Sequence, residues 1–250
     1  MLNHTTMCQR VYTKNPYLRR FAIGLMATIV IVIGGMSDSF AADDFVGAWT
    51  VFNATDAFQT DDGPSRWSYW IDAQARYFDV GSGINQYLVR PGIGFKPGEN
   101  LSVWAGYARF RSRNRAGFVV DENRYWQQLN WTSGQWNGGT FSMRARLLER
   151  FVDAGDDMGL VLRFLTRYVR SIGTDGKKSL ILGIEPFVDL RTTDWSGGTG
   201  IYQNRTYIGV GWRVSDKLSI DTGYMNQFLW VDNGDEVSNH LAILNFKTKF

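Results

Sequence analysis

The sequence predicts an all-β fold, a closed antiparallel up-and-down transmembrane β-barrel of 10–12 strands. Three observations predict it. In the last ten residues, LAILNFKTKF, steps of two give Phe250, Thr248, Phe246, Leu244 and Ala242, and the other register gives Lys249, Lys247, Asn245, Ile243 and Leu241. One apolar face and one mostly polar face at a period of two describe a strand between two environments. Segments of the same kind recur throughout residues 42–250. Finally, beyond residue 41 no apolar run approaches the roughly 20 residues of a spanning helix, so a membrane location would require a closed barrel.

The first element is a leader, residues 1–41. Arg10, Lys14, Arg19 and Arg20 precede the apolar run Phe21–Gly35, and Ser39-Phe40-Ala41 supplies small residues at −3 and −1 of a cut. That is the layout of a secretory signal peptide cleaved between Ala41 and Ala42. The whole chain has 27 Lys+Arg and 24 Asp+Glu; the leader takes those four bases and Asp38, leaving 23 of each. A neutral domain over residues 42–250 gives no support to nucleic-acid binding. Cys8, the only cysteine, leaves with the leader, as does one of the two histidines. Disulfides, thiolate chemistry and multi-histidine metal sites are thereby excluded, and no cofactor is expected.

The strands follow in order. Candidates cover 45–54, 66–78, 85–96, 100–112 and 122–132 with some noise. The clearest alternation is Phe141, Met143, Ala145 and Leu147 against Ser142, Arg144 and Arg146. Its continuation, Leu148-Glu149-Arg150-Phe151, breaks the pattern and predicts a bulge or the end of the membrane band. Leu160, Leu162, Phe164 and Tyr168 alternate with Arg163 and Arg167; Leu180, Leu182, Ile184 and Val188 with Gly183, Glu185 and Asp189. Ile208, Val210, Trp212 and Val214 alternate with Arg205, Tyr207, Gly209 and Gly211; Leu218, Ile220, Thr222 and Tyr224 with Ser219, Asp221 and Gly223. With the terminal strand this makes eleven segments. Bacterial single-chain barrels have even strand numbers, which predicts ten strands (45–54 lost) or twelve (one hidden near the N-terminus). Loops at 113–121, 153–157, 192–199 and 231–237 should share one end, and turns at 97–100, 132–139, 171–178 and 215–217 the other.

Ten tryptophans all follow the leader, and Trp67, Trp131, Trp212 and Trp230 lie near predicted strand ends, at headgroup level in a membrane barrel. A water-soluble barrel would invert the pattern, with its apolar row inside. Periodicity alone does not separate the two.

The run Arg90-Pro91-Gly92-Ile93-Gly94-Phe95, then Trp104-Ala105-Gly106-Tyr107, resembles the paired-strand motifs of an uncharacterised outer-membrane family, domain of unknown function 2490. So do Glu122-Asn123-Arg124-Tyr125-Trp126-Gln127-Gln128, Arg144-Ala145-Arg146 with Glu149-Arg150-Phe151, Gly223-Tyr224-Met225-Asn226-Gln227-Phe228, and Asn239-His240. The resemblance covers nearly all of residues 42–250. It implies a barrel in the outer membrane of a Gram-negative bacterium, exported through the periplasm, in contact with lipid and lipopolysaccharide. It further implies that the aromatic residues of the last strand, Phe246 and Phe250, are the signal read by the barrel-assembly machinery. It brings no activity and no catalytic residue.

Function therefore rests on the lumen. The alternation points Arg90, Arg124, Arg144, Arg146, Arg163, Arg167 and Arg205 inward, facing Glu122, Glu185, Asp189 and Asp221, because arginine on the lipid face costs roughly 2–4 kcal/mol at the membrane midplane. Two roles stay open: a salt-bridged interior in a structural barrel or narrow passive channel, or an arginine track admitting small anionic solutes, as in a porin for acidic sugars. A non-enzymatic protein is expected. The competing enzyme reading is a hydrolase at the outer rim using Ser238 and His240, with Asp235 or Glu236 as the orienting acid.

Overall fold

Eleven strands form a closed ring in the computed structural model, which describes residues 43–78, 84–114, 117–230 and 236–249. In order they are β1 (Asp43–Thr60), β2 (Gly63–Phe78), β3 (Ile84–Gly98), β4 (Leu101–Arg113), β5 (Val119–Trp136), β6 (Gly139–Val152), β7 (Met158–Ile172), β8 (Lys178–Asp189), β9 (Gly200–Arg213), β10 (Leu218–Trp230) and β11 (Glu236–Thr248). The leader, Phe250, Asp235 and most of the predicted 231–237 loop lie outside the described residues. Each strand pairs antiparallel with its sequence neighbours. The ring closes through a parallel pairing of β1 with β11, from Asp43 opposite Val237 to Ala54 opposite Thr248.

Parity explains that seam. In an up-and-down ring with an odd number of strands the first and last run the same way, so they can meet only in parallel. The expectation that evenness would remove the 45–54 strand or reveal a twelfth is corrected here: eleven strands close by accepting one parallel pairing, slightly weaker per residue than an antiparallel one.

Strands of 12 to 18 residues exceed the 9–11 that cross a hydrocarbon core at a tilt. Turns at one end are tight. Asn137 (φ 47°) and Gly138 (φ 75°) make the two-residue hairpin between β5 and β6, because a turn with both central residues left-handed matches the strand twist. The predicted 132–139 turn therefore shrinks to two residues, its flanks continuing as strand past an irregularity between Thr132 and Gln135. Residues 61–62, 99–100, 173–177 and 214–217 share that end with Lys249; residues 114, 117–118, 153–157 and 190–199 lie at the other. The bulge expected at Leu148–Phe151 is absent. Register with β5 is unbroken from Gln127↔Leu147 to Glu122↔Val152, so Leu148 and Arg150 continue the row of Arg146 while Glu149 and Phe151 continue the opposite row.

Which row faces in is settled by contacts between strands that are not neighbours. Arg144 on β6 reaches Glu185 on β8, Arg167 on β7 reaches Asp221 on β10, and Trp70 on β2 packs edge-on against Trp126 on β5. Such pairs can meet only across the lumen. The other row is apolar and exposed: Ile93 at 55%, Ile208 at 50% and Ile184 at 47% stand among many large outward hydrophobics. Trp67, Trp131, Trp136 and Trp230 are exposed near strand ends. Trp49, Trp70, Trp104 and Trp126 instead fill the interior. The molecule thus wears its apolar face outside and its charges within.

Candidate functional site

The lumen is organised by carboxylates, three of which, Glu185, Glu122 and Asp221, hold more than one base. Glu185 is central: Arg163 donates to it through Nε (3.1 Å) and Nη2 (2.8 Å), Arg144 through Nη2 (2.6 Å), and Arg205 stands 3.8 Å away. Its neighbour on the same row of β8, Gly183, has no side chain, and arginines from β6, β7 and β9 converge beside it. Glu122 accepts from Arg124 (2.6 Å) and Arg150 (2.5 Å). Asp221 pairs with Arg167 (3.3 Å) and Lys247 (2.7 Å), and Asp72 with Arg90. Arg146 gives its Nε to Gln128 (2.6 Å), lies between the indoles of Trp70 and Trp126, and leaves both Nη atoms without a partner in the protein. Asp189 is buried on the same row of β8 as Glu185.

All the inward arginines and acids named from the sequence thus lie in the lumen, but around several separate carboxylates rather than in one track. Sequence reading missed Arg76, Arg150, Lys247, Asp72 and the interior tryptophans. Among the described residues Arg76 has no carboxylate partner; it donates to Gln74 (2.6 Å) and Gln86 (3.1 Å) and lies over the Trp49 ring at 3.9 Å. A usable signal existed, since Ser68, Trp70, Asp72, Gln74 and Arg76 are alternate residues of one strand.

Together, Arg76, Arg90, Arg124, Arg144, Arg146, Arg150, Arg163, Arg167, Arg205 and Lys247 face Asp72, Glu122, Glu185, Asp189 and Asp221, bases outnumbering acids two to one in this set. Space in the lumen falls into successive chambers. The middle one, about 340 Å³, is walled by Arg76, Arg90, Arg144, Arg163, Arg167, Arg205 and Lys247, by Asp72, Glu185 and Asp221, and by Trp49, Trp70 and Tyr207 among others. Toward the C-terminal end it continues past Asn53, Arg144 and Arg167 into a polar vestibule with Ser102, Asn130 and Ser142. Toward the other end Arg76, Arg163 and Arg205 separate it from a second chamber lined by Glu122, Arg124, Arg150 and Trp195. That three-arginine layer packs against Trp49 and Phe187 at mid-height, between the two chambers.

The sequence model of the family described as "Protein of unknown function (DUF2490)" matches residues 46–238. The chain belongs to this DUF2490 family. An uncharacterized protein of Methylorubrum extorquens is 29% identical over 184 residues, 73% of this chain and 81% of its own length. No solved structure matches.

In this DUF2490 barrel the match runs from β1 into β11, and the motif Arg90–Phe95 lies on β3 with Arg90 in the lumen. Ser238 and His240 lie elsewhere, on the outward row of β11. His240 Nδ1 meets the Tyr224 hydroxyl (2.6 Å), while Nε2 meets both Ser238 Oγ (3.3 Å) and Asp44 Oδ1 (3.1 Å). Asn226 donates to Ser238 (2.7 Å). The acid is thus Asp44, brought across the seam, whereas Asp235 lies outside the described residues. A serine–histidine–acid relay needs the hydroxyl and the acid on opposite ring nitrogens. Here they share one, an arrangement that latches β1 to β11.

At the end of the DUF2490 barrel opposite the tight turns, residues 190–199 pack over the 153–157 loop. Trp195 donates its indole N–H to the Asp157 carbonyl (2.8 Å) and covers the Arg150 guanidinium at 4.9 Å. The Asp194 carboxylate accepts the backbone N–H groups of Asp156 (2.9 Å) and Asp157 (3.2 Å), which hold its pKa below the ordinary aspartate value. A lowered folded pKa stabilises this packing above the unfolded pKa of about 3.9, an effect lost as pH falls through the folded value. Pepsin should therefore cut 153–157 and 190–199 faster as pH drops below the ordinary aspartate value of about 3.9. Asp194→Asn should expose these loops to a neutral protease at pH 7; equal cutting of variant and wild type would remove the carboxylate from that role.

Proposed function

We propose that this protein is an outer-membrane β-barrel of Gram-negative bacteria, exported behind a cleaved signal peptide and folded into lipid by the barrel-assembly machinery. Its role is passive: a structural barrel whose lumen is closed at mid-height by its own side chains. The inversion of polarity carries the reading. An outward belt of exposed Ile, Leu, Val and aromatic side chains around buried arginines is costly in water and favourable in a bilayer, where lipid and lipopolysaccharide cover it. Phe246 lies on the outward row of the last strand, as a terminal assembly signal requires, and Phe250 lies outside the described residues.

The two-to-one excess of bases favours a second reading, a narrow channel preferring small anions. Planar-bilayer recording separates the two. The refolded wild type should show little steady conductance. Removing the mid-height layer with Trp49→Ala and Arg76→Ala should produce discrete steps, with a reversal potential in a salt gradient that reports anion preference. Steady anion-selective steps from the wild type itself would favour the channel. Failure of the refolded chain to insert into vesicles would overturn the membrane reading.

A further inference from the structure

We infer that the middle chamber is a binding site for a small organic anion carrying two or more negative charges, of the sugar-phosphate class. The inference rests on the cationic lumen but is independent of whether the barrel conducts. Seven bases face three acids on this wall, an imbalance that burial makes costly, because the enclosing side chains replace the water that would screen it. Among the described residues Arg76, 6% exposed, answers to no carboxylate, only to two glutamine carbonyls. On the same wall Arg90 Nε and Arg144 Nε have no hydrogen-bond partner among the described residues. The excess is therefore not absorbed internally, and a multiply charged anion is the complementary occupant.

Two further features narrow its chemistry. Trp49, Trp70 and Tyr207 share the wall, and both indole N–H groups and the phenol hydroxyl are also unpartnered. Aromatic faces with neutral donors suit a hydroxylated ring rather than a bare inorganic ion. A volume of about 340 Å³ is of the order a single sugar with its charged group requires, well short of a polymer. Continuity with the vestibule at Asn53, Arg144 and Arg167 makes the C-terminal end the entrance.

The test is calorimetric titration of the refolded barrel in non-ionic detergent with glucose 6-phosphate, glucose and inorganic phosphate. Glucose 6-phosphate should saturate near one per barrel, inorganic phosphate should bind more weakly, and glucose should give no signal. Arg76→Gln should weaken binding by about 10-fold or more, the scale of one charge-assisted hydrogen bond, and Arg76→Lys should restore part of it. Arg167→Gln, at the entrance and 32% exposed, provides a second variant expected to keep the fold. Arg109→Gln, whose partner is Asp121 on the exterior, should change nothing. Absence of saturable binding, or equal loss with Arg109→Gln, overturns the site. Equal affinity for inorganic phosphate overturns the sugar assignment. None of these outcomes depends on bilayer conductance, so this site and the passive-barrel reading can fail separately.

Discussion

Replacing Glu185 by Gln should destabilise the barrel by about 3–5 kcal/mol, the cost of removing one partner from a buried ion pair. Glu185 accepts from Arg163 and Arg144 and lies 3.8 Å from Arg205, so a neutral amide leaves three guanidiniums facing one another with nothing to offset them. Gln preserves size and one acceptor oxygen, which isolates charge from packing. Urea unfolding in lipid vesicles, followed by tryptophan fluorescence, measures the change. A shift below about 1 kcal/mol would mean that water in the lumen screens the cluster. The double change Glu185→Gln with Arg163→Gln should recover part of the loss, since it removes a base together with the acid.

Gly106→Val should be at least as damaging. A Cβ built on Gly106 would lie 2.3 Å from the Pro91 carbonyl oxygen, 2.6 Å from the Trp126 ring and 2.8 Å from Gly92 Cα. Trp126 is fully buried beneath Trp70, so neither its indole nor the β3 backbone can yield easily. Overpacking of this kind usually costs about 1–3 kcal/mol, and β3 backbone on one side with the buried Trp126 ring on the other places Gly106 at the upper end or beyond. Gly98→Val and Gly134→Val are the contrast, because nothing lies within 4 Å of a Cβ at either position. Retention of the compact, heat-modifiable form by Gly106→Val on an electrophoretic gel would mean that Trp126 can rotate away, and the interior would be looser than its packing implies.

Much of the fold was legible because a barrel wall repeats one simple rule. Arg144, Arg146, Arg163 and Arg167 alternate with apolar residues, and only one face of a strand can hold charge cheaply when the other meets lipid or its equivalent. Two kinds of fact were not legible. The parallel seam depends on which edges meet, and alternation within β1 or β11 is silent about that. For the same reason the partner of His240 was sought nearby at Asp235 or Glu236, whereas closure brings Asp44 from the far end of the chain. Interior tryptophans were the second failure. An indole suits a headgroup belt and a packed lumen equally, and only the partners decide. Trp67 and Trp70 lie three residues apart on β2 and end on opposite faces.

An odd ring also fixes where the first and last strands of the wall begin and end. Asp43 starts β1 beside the 153–157 and 190–199 loops, while Lys249 follows β11 beside the tight turns. Once embedded in a bilayer, a peptide tag ahead of Asp43 and another after Lys249 would be reached by antibodies from opposite compartments. The leading edge of β1 would also have to be carried through the lipid during insertion, a step that even-stranded barrels, with both ends on one side, do not require.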